Sequence, residues 1–263
     1  MRFTKLQALG NDYVCLDFTR RPPAGELSEV ARAVTDRRRG VGADGLLCIF
    51  PGEEGRLRML LYNADGSRAA MCGNGIRCLA VYAWTHGLAE SHRTLEVETD
   101  AGVRAIAPVP GGSRVDMGRP LLGRSMVLKA AGQSWRVRPV SMGNPHAVIF
   151  VPRLAEVDLE ELGPVLERHS AFPDRTNVEA VEVISPRLLR MRVWERGCGE
   201  TMACGTGACA AFAAAAASGL TGREGRVALP GGTLTLSWPE EEGEIYLEGP
   251  ASAVFEGEWP GKV

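Results

Sequence analysis

Two cysteine boxes carry the chemistry that is easiest to read in this 263-residue chain. Ala70-Met71-Cys72-Gly73-Asn74-Gly75 recurs as Met202-Ala203-Cys204-Gly205-Thr206-Gly207, the second cysteine standing 132 positions after the first. Each box runs into a proline-free apolar stretch, Ile76 to Thr85 and Ala208 to Ala217, that reads as a buried helix. Both cysteines therefore stand where a helix begins. A helix start leaves backbone N–H groups without intrahelical partners and carries partial positive charge, which predicts a lowered thiol pKa. The glycines after each cysteine let a carboxylate approach those amides closely.

Two thiols presented in this way suit inversion of a carbon that bears a weakly acidic hydrogen. One thiolate removes the proton from one face and the other thiol delivers a proton to the opposite face. N–H groups at both helix starts would hold an α-carboxylate as it gathers enolate charge. A single-nucleophile scheme competes: Cys204 or Cys72 attacks, His146 acts as base and Asn144 orients it, as in a thiol hydrolase or acyltransferase. That scheme leaves one box unexplained. Two glycine-rich runs, 205–210 and 40–45, fit a dinucleotide fingerprint but lack the strand–turn–helix setting it needs. Cys198, Cys204 and Cys209 have neither zinc-knuckle spacing nor a histidine pair.

Composition narrows the setting. A net charge of −2 with 45% apolar residues fits a globular chain with a full core and gives no basic face for nucleic acid. The basic run Arg37-Arg38-Arg39 reads as the cationic end of a helix. No apolar stretch reaches the length of a membrane span and no leader-like segment opens the chain, so a cytoplasmic protein is expected. Seven cysteines, an odd number without tight spacing, point to reduced thiols. Only three lysines, Lys5, Lys129 and Lys262, are available for a pyridoxal phosphate Schiff base, and none lies in a cysteine or glycine motif.

The elements around the boxes repeat as well. Strands are expected from Phe3, from Tyr13 to Phe18, from Leu46 to Phe50 and from Arg56 to Tyr62, the last ending at Asn63-Ala64-Asp65 just before the first box. Leu27, Val30, Ala31 and Val34 fall at i, i+3, i+4 and i+7, predicting a helix over 27–38. In the second half Gly143-Asn144 answers Gly10-Asn11, a helix over 158–170 answers 27–38, and the strand 188–194 ends at Glu195-Arg196-Gly197. Gene duplication explains this order. It predicts an α+β fold of two pseudo-symmetric domains, each a β-sheet or barrel wrapped around a central helix, with a linker within 118–140.

MCGNGIR (71–77), GNDY (10–13), GNPH (143–146) and ERGCGETMACGTGA (195–208) together resemble the diaminopimelate epimerases, and the resemblance covers essentially the whole chain. It implies interconversion of LL- and meso-diaminopimelate in lysine and peptidoglycan precursor synthesis, with no cofactor or metal, by a cytoplasmic homodimer that binds neither nucleic acid nor membrane. It implies that Cys204 removes the proton of the LL isomer while Cys72 donates, with His146 and Glu195 setting the cysteine protonation states. Substrate binding is assigned by the same resemblance to Asn11, Asn63, Gly73, Asn74, Asn144, Asn177, Glu195, Arg196, Gly205 and Thr206. Domains of 1–117 and 118–251 are expected, with the last strand, 252–263, returning to the first. The chain departs from the pattern at Asp44-Gly45, where some relatives carry a substrate-contacting glutamine. Proline, hydroxyproline and histidine racemases share the two-cysteine design and are the nearest alternatives.

Overall fold

The computed structural model describes residues 1–260. It divides into two compact units, one formed by Met1–Val115 and rejoined by the chain from Gly249 onward, the other by Asp116–Glu248.

In the first unit the elements are β1 (Arg2–Ala8), β2 (Asn11–Asp17), α1 (Leu27–Thr35), β3 (Gly45–Pro51), β4 (Leu57–Asn63), β5 (Arg68–Ala69), α2 (Gly73–Thr85), β6 (Leu95–Thr99), β7 (Gly102–Val109) and β8 (Gly112–Asp116). β1 and β2 pair antiparallel, β2 and β3 parallel, β3 and β4 antiparallel, β4 and β6 parallel, β6 and β7 antiparallel. A parallel pair needs a crossover, and the crossovers here are α1 and α2.

The second unit contains β9 (Leu121–Leu122), β10 (Met126–Ala130), β11 (Gln133–Ser141), β12 (Pro145–Phe150), α3 (Leu159–Glu167), β13 (Asn177–Ser185), β14 (Leu188–Glu195), β15 (Gly199–Thr201), α4 (Gly205–Ala217), β16 (Glu224–Leu229), β17 (Gly232–Ser237) and β18 (Tyr246–Gly249). From β11 the sequence of pairings is the same: antiparallel to β12, parallel to β13, antiparallel to β14, parallel to β16, antiparallel to β17. Each cysteine helix is thus the crossover of the second parallel pair in its own unit. The last strand, β19 (Ser252–Glu258), pairs with β1; residues 261–263 of the expected final strand lie outside the described residues.

The two crossover types differ in burial. On α1 the predicted stripe of Leu27, Val30, Ala31 and Val34 is buried against β-strand residues that include Val14, Leu16 and Leu46. On α3, Leu159, Leu162 and Leu166 pack against Ala147, Ile149 and Val178. Both are one-sided amphipathic helices. The cysteine helices are buried on nearly every face, from Gly73 through Ala80 on α2 and from Ala208 through Ala215 on α4. A helix apolar all round belongs inside a ring of strands, and the run of alanines in α4 keeps that ring close.

Two expectations fail here. α1 ends at Thr35, short of Arg38, because the Asp36 carboxylate accepts from the amides of Arg38 and Arg39 (2.8 and 3.0 Å) and turns the chain. The arginine run therefore lies beyond the helix. The expected linker within 118–140 carries β9, β10 and most of β11 instead; Pro120, Gly123 and Gly132 sit at strand ends and turns, including the turn at Ala131-Gly132 that closes the β10–β11 hairpin, while Pro139 lies inside β11 opposite Ala147.

Candidate active site

Cys72 and Cys204 are the N-cap residues of α2 and α4, both extended (φ −142°, ψ 122° and φ −126°, ψ 113°). The first intrahelical bonds run from Ile76 N to Cys72 O and from Ala208 N to Cys204 O, each 2.9 Å. The amides of 73–75 and 205–207 thus stand before the hydrogen-bonded turns begin, which is where a helix receives an anion.

Around Cys72 the strand β2 supplies the neighbours. Gly10 takes a left-handed φ of 83° and delivers Asn11 to the strand start, as Gly143 (φ 91°) does for Asn144. The Tyr13 hydroxyl lies 3.0 Å from Cys72 Sγ and also donates to Asn11 Oδ1. That oxygen accepts from Asn74 Nδ2 at 3.2 Å as well, and Asn11 Nδ2 donates to Asp44 Oδ2 at 2.8 Å, so both ends of the Asn11 amide are fixed. Behind Asn74 the fully buried Arg77 donates to Asn74 Oδ1 (2.8 Å) and Gly73 O (2.9 Å). Asp44, the point of departure from the family pattern, is held by Arg37 at 2.9 Å. Gly45 beside it has room for no side chain, since a Cβ would meet Tyr62 O at 2.7 Å and the Tyr13 ring at 3.3 Å. Asn63, exposed at the end of β4, donates to Ser67 Oγ at 2.9 Å.

Around Cys204 the neighbours are charged. Its Sγ accepts from Gly207 N at 3.4 Å and lies 3.5 Å from Thr206 Oγ1. Glu195, at the end of β14, faces the thiol as a carboxylate neighbour and accepts from Thr201 Oγ1 at 2.5 Å. The helix start does not lower this thiol's pKa, contrary to the sequence-based expectation. Burial pushes it well up, the Glu195 and Glu179 carboxylates push it further, and the contacts to Thr206 and Gly207 offset only part. Burial also raises the Glu195 carboxyl above the usual carboxylate range, against the bonds from Thr201 and Cys204.

His146 is buried, with Nδ1 2.6 Å from Glu179 Oε1 and Nε2 3.0 Å from Asn144 Oδ1. Asn144 Nδ2 reaches Thr206 Oγ1 at 3.4 Å. Asn177 spends its amide on backbone, accepting from Arg196 N and donating to Pro145 O, both 2.9 Å. The exposed Arg196 guanidinium donates to Asp174 O at 2.9 Å. Cys72, Gly73, Asn74 and Asn11 are thus brought together in one unit, and Cys204, Gly205, Thr206, Glu195, Asn144 and His146 in the other. Asn177 and Arg196 border that second group, and Asn63 stands apart at a strand end.

Three residues of these clusters were not singled out from sequence. Tyr13 lies within GNDY, where the motif gave the signal but not the role. Arg77 likewise closes MCGNGIR. Glu179 left no signal, being one of two glutamates on β13, with Glu182. Of the lysines, Lys5 is buried and paired with Asp12 at 2.8 Å, Lys129 is exposed on β10, and Lys262 lies outside the described residues. Among the described residues no group of three or more His, Cys, Asp or Glu side chains is placed to hold a metal ion.

The diaminopimelate epimerase family model matches residues 3–122 and 139–254. Diaminopimelate epimerase of Moorella thermoacetica is 46% identical, covering 99% of each chain, and that of Desulforudis audaxviator is 47% identical over 98% of this chain and 99% of its own. The Methanococcus maripaludis enzyme is 40% identical over the same shares. Two solved structures share the fold at low identity. A phenazine biosynthesis protein of the PhzF family from Bacillus anthracis has a TM-score of 0.75, 18% identity and 98% coverage of each chain. A hydroxyproline epimerase from Agrobacterium vitis has a TM-score of 0.73 and 14% identity, over 98% of this chain and 91% of its own.

Proposed function

The chain belongs to the diaminopimelate epimerase family, and on that premise we propose that Cys72 and Cys204 are its two proton-transfer groups. Its activity is the interconversion of LL- and meso-diaminopimelate by inversion at one α-carbon. The observation that carries the assignment is the shared placement of the two thiols, each the N-cap of the same crossover in a repeated strand order.

The surroundings suggest how the pair works. Cys204 rests as a thiol, because it is buried and faces carboxylates. To act as base toward the LL isomer it must first give up that proton, and Glu195, the neighbouring carboxylate with raised proton affinity, is the group that receives it. Cys72, less buried and touched by the Tyr13 hydroxyl, returns a proton to the opposite face. The roles exchange in the reverse direction. The amides at the two helix starts would take the reacting α-carboxylate, whose charge grows as the carbanion becomes enolate-like. Asn11, Asn74, Asn144 and Thr206 offer neutral donors and acceptors to the ammonium and carboxylate groups. Arg196 offers a guanidinium to the carboxylate at the far end of the substrate. Asn63 and Asn177 would contribute at the edges, Asn177 chiefly by holding Arg196.

Replacing either cysteine tests the scheme. Cys72→Ala and Cys204→Ala should each lower kcat by roughly 10²- to 10⁴-fold, the usual span for a lost acid–base group. Near-normal turnover in either variant would remove the two-base reading.

A further inference from the structure

A buried carboxylate outside the proposed proton-transfer groups stands at the head of a chain of hydrogen bonds that ends on a sulfur. Glu179, on β13, is fully buried with one oxygen 2.6 Å from His146 Nδ1. Its other oxygen has no hydrogen-bond partner, so His146 is the partner that compensates its burial. Space for it comes from Gly207, where a Cβ would meet Glu179 Oε1 at 2.8 Å.

Donor and acceptor types set the direction of the remaining links. Both imidazole nitrogens face oxygens, Glu179 Oε1 and Asn144 Oδ1, so the pair holds one hydrogen between Nδ1 and Oε1 and a second on Nε2. With Nε2–H on Asn144 Oδ1, the amide must turn its NH₂ toward Thr206 Oγ1. The threonine oxygen then accepts, which leaves the threonine hydrogen to point at Cys204 Sγ, 3.5 Å away. Were Nε2 bare, the Asn144 amide would flip to donate to it, its carbonyl would face Thr206, and the hydroxyl would turn from the sulfur to that carbonyl.

We propose that Glu179 is a positioning residue for Cys204: through His146 and Asn144 it aims the Thr206 hydroxyl at the sulfur, supporting the thiolate when the proton leaves. The proposal rests on the reading of Cys204 as a proton-transfer group. It assigns His146 to orienting Asn144 rather than to taking the cysteine proton itself.

The test is the rate of iodoacetamide alkylation of Cys204 at fixed mildly alkaline pH, read peptide by peptide by mass spectrometry. Glu179→Gln removes a nearby negative charge, which alone would speed alkylation. It also removes the constraint on Nε2, because an amide can either accept from Nδ1 or donate to it. The relay predicts a net slowing of roughly fivefold, the worth of about one hydrogen bond. In a Thr206→Val background the same substitution should instead leave the rate unchanged or raise it, since only the charge effect is left. Slowing of equal size in both backgrounds, or faster alkylation with Thr206 present, overturns the relay while leaving Cys204 as a reactive thiol. Racemisation that survives Cys204→Ala overturns the reading beneath it. Nitrogen-15 spectra of the His146 ring in the wild-type protein give a check that needs no variant. Nε2 should carry hydrogen in the resting protein, and a bare Nε2 contradicts the proposal.

Discussion

The two cysteine helix starts are copies in sequence, in backbone and in topology, yet they offer their sulfurs different partners. Cys72 sits beside a phenol, with asparagines and a buried arginine behind it. Cys204 sits beside a carboxylate, with a second carboxylate and an imidazole behind it. A duplicated scaffold fixes where a thiol stands and how the helix meets it. The side chains on neighbouring strands decide whether that thiol keeps its proton. One half is built around neutral polar groups and the other around carboxylates that hold the Cys204 proton in place.

The sharpest way to break this contrast is at Glu195. Glu195→Gln keeps the shape and the bond to Thr201 but removes the acceptor for the Cys204 proton, so kcat should fall by about 10²-fold or more. Burial holds the Glu195 carboxyl above its unfolded value, so its contribution to stability is present at low pH and is lost as pH rises through the folded pKa. The variant should show a smaller loss of Tm across that rise than the wild type. An active Glu195→Gln enzyme would place the proton acceptor elsewhere.

The glycines at matching positions of the two boxes should respond unequally. A Cβ on Gly207 would meet Glu179 Oε1 at 2.8 Å and Cys204 Sγ at 3.3 Å, whereas on Gly75 the nearest atom is at 3.6 Å. Gly207→Ala should cost about tenfold or more in kcat, while Gly75→Ala should stay within about twofold and gain up to ~1 kcal/mol in stability from helix propensity. Equal tolerance, read by kinetics and thermal melts, would mean that the crowding at α4 has no functional weight. The smallest effect is expected at Tyr13. Tyr13→Phe keeps the ring over Gly45 but removes the hydroxyl from Cys72, and should lower kcat by roughly three- to tenfold, about one hydrogen bond. No change at all would reduce the Tyr13–Cys72 contact to packing.

Much of this architecture could be read from residue order. The apolar stripe of α1, the two buried crossover helices and the cysteines at their starts follow from local pattern, because periodicity and glycine placement are short-range signals. Strand content in 118–140 is hidden because Arg119-Pro120, Gly123 and Gly132 look like breaks until the pairing of β11 with β9, β10 and β12 is seen. The proton affinity of Cys204 is illegible in the box for a similar reason. A box shows that a thiol caps a helix, but not its burial, nor that Glu195 before the box and Glu179 on β13 both face the sulfur. Glu179 was invisible because Val178-Glu179-Ala180 alternates like a half-exposed strand, and only α4 packing over it makes the carboxylate an interior group.

Isotope exchange during the first turnovers tests the central claim most directly. LL-diaminopimelate incubated in deuterium oxide, with no cofactor added, should give meso product carrying solvent deuterium at the inverted α-carbon while the unreacted substrate keeps its hydrogen. Two thiols working on opposite faces require that result. Product that retains the original hydrogen, or meso product that still forms at an unchanged rate after Cys72→Ala, would contradict it.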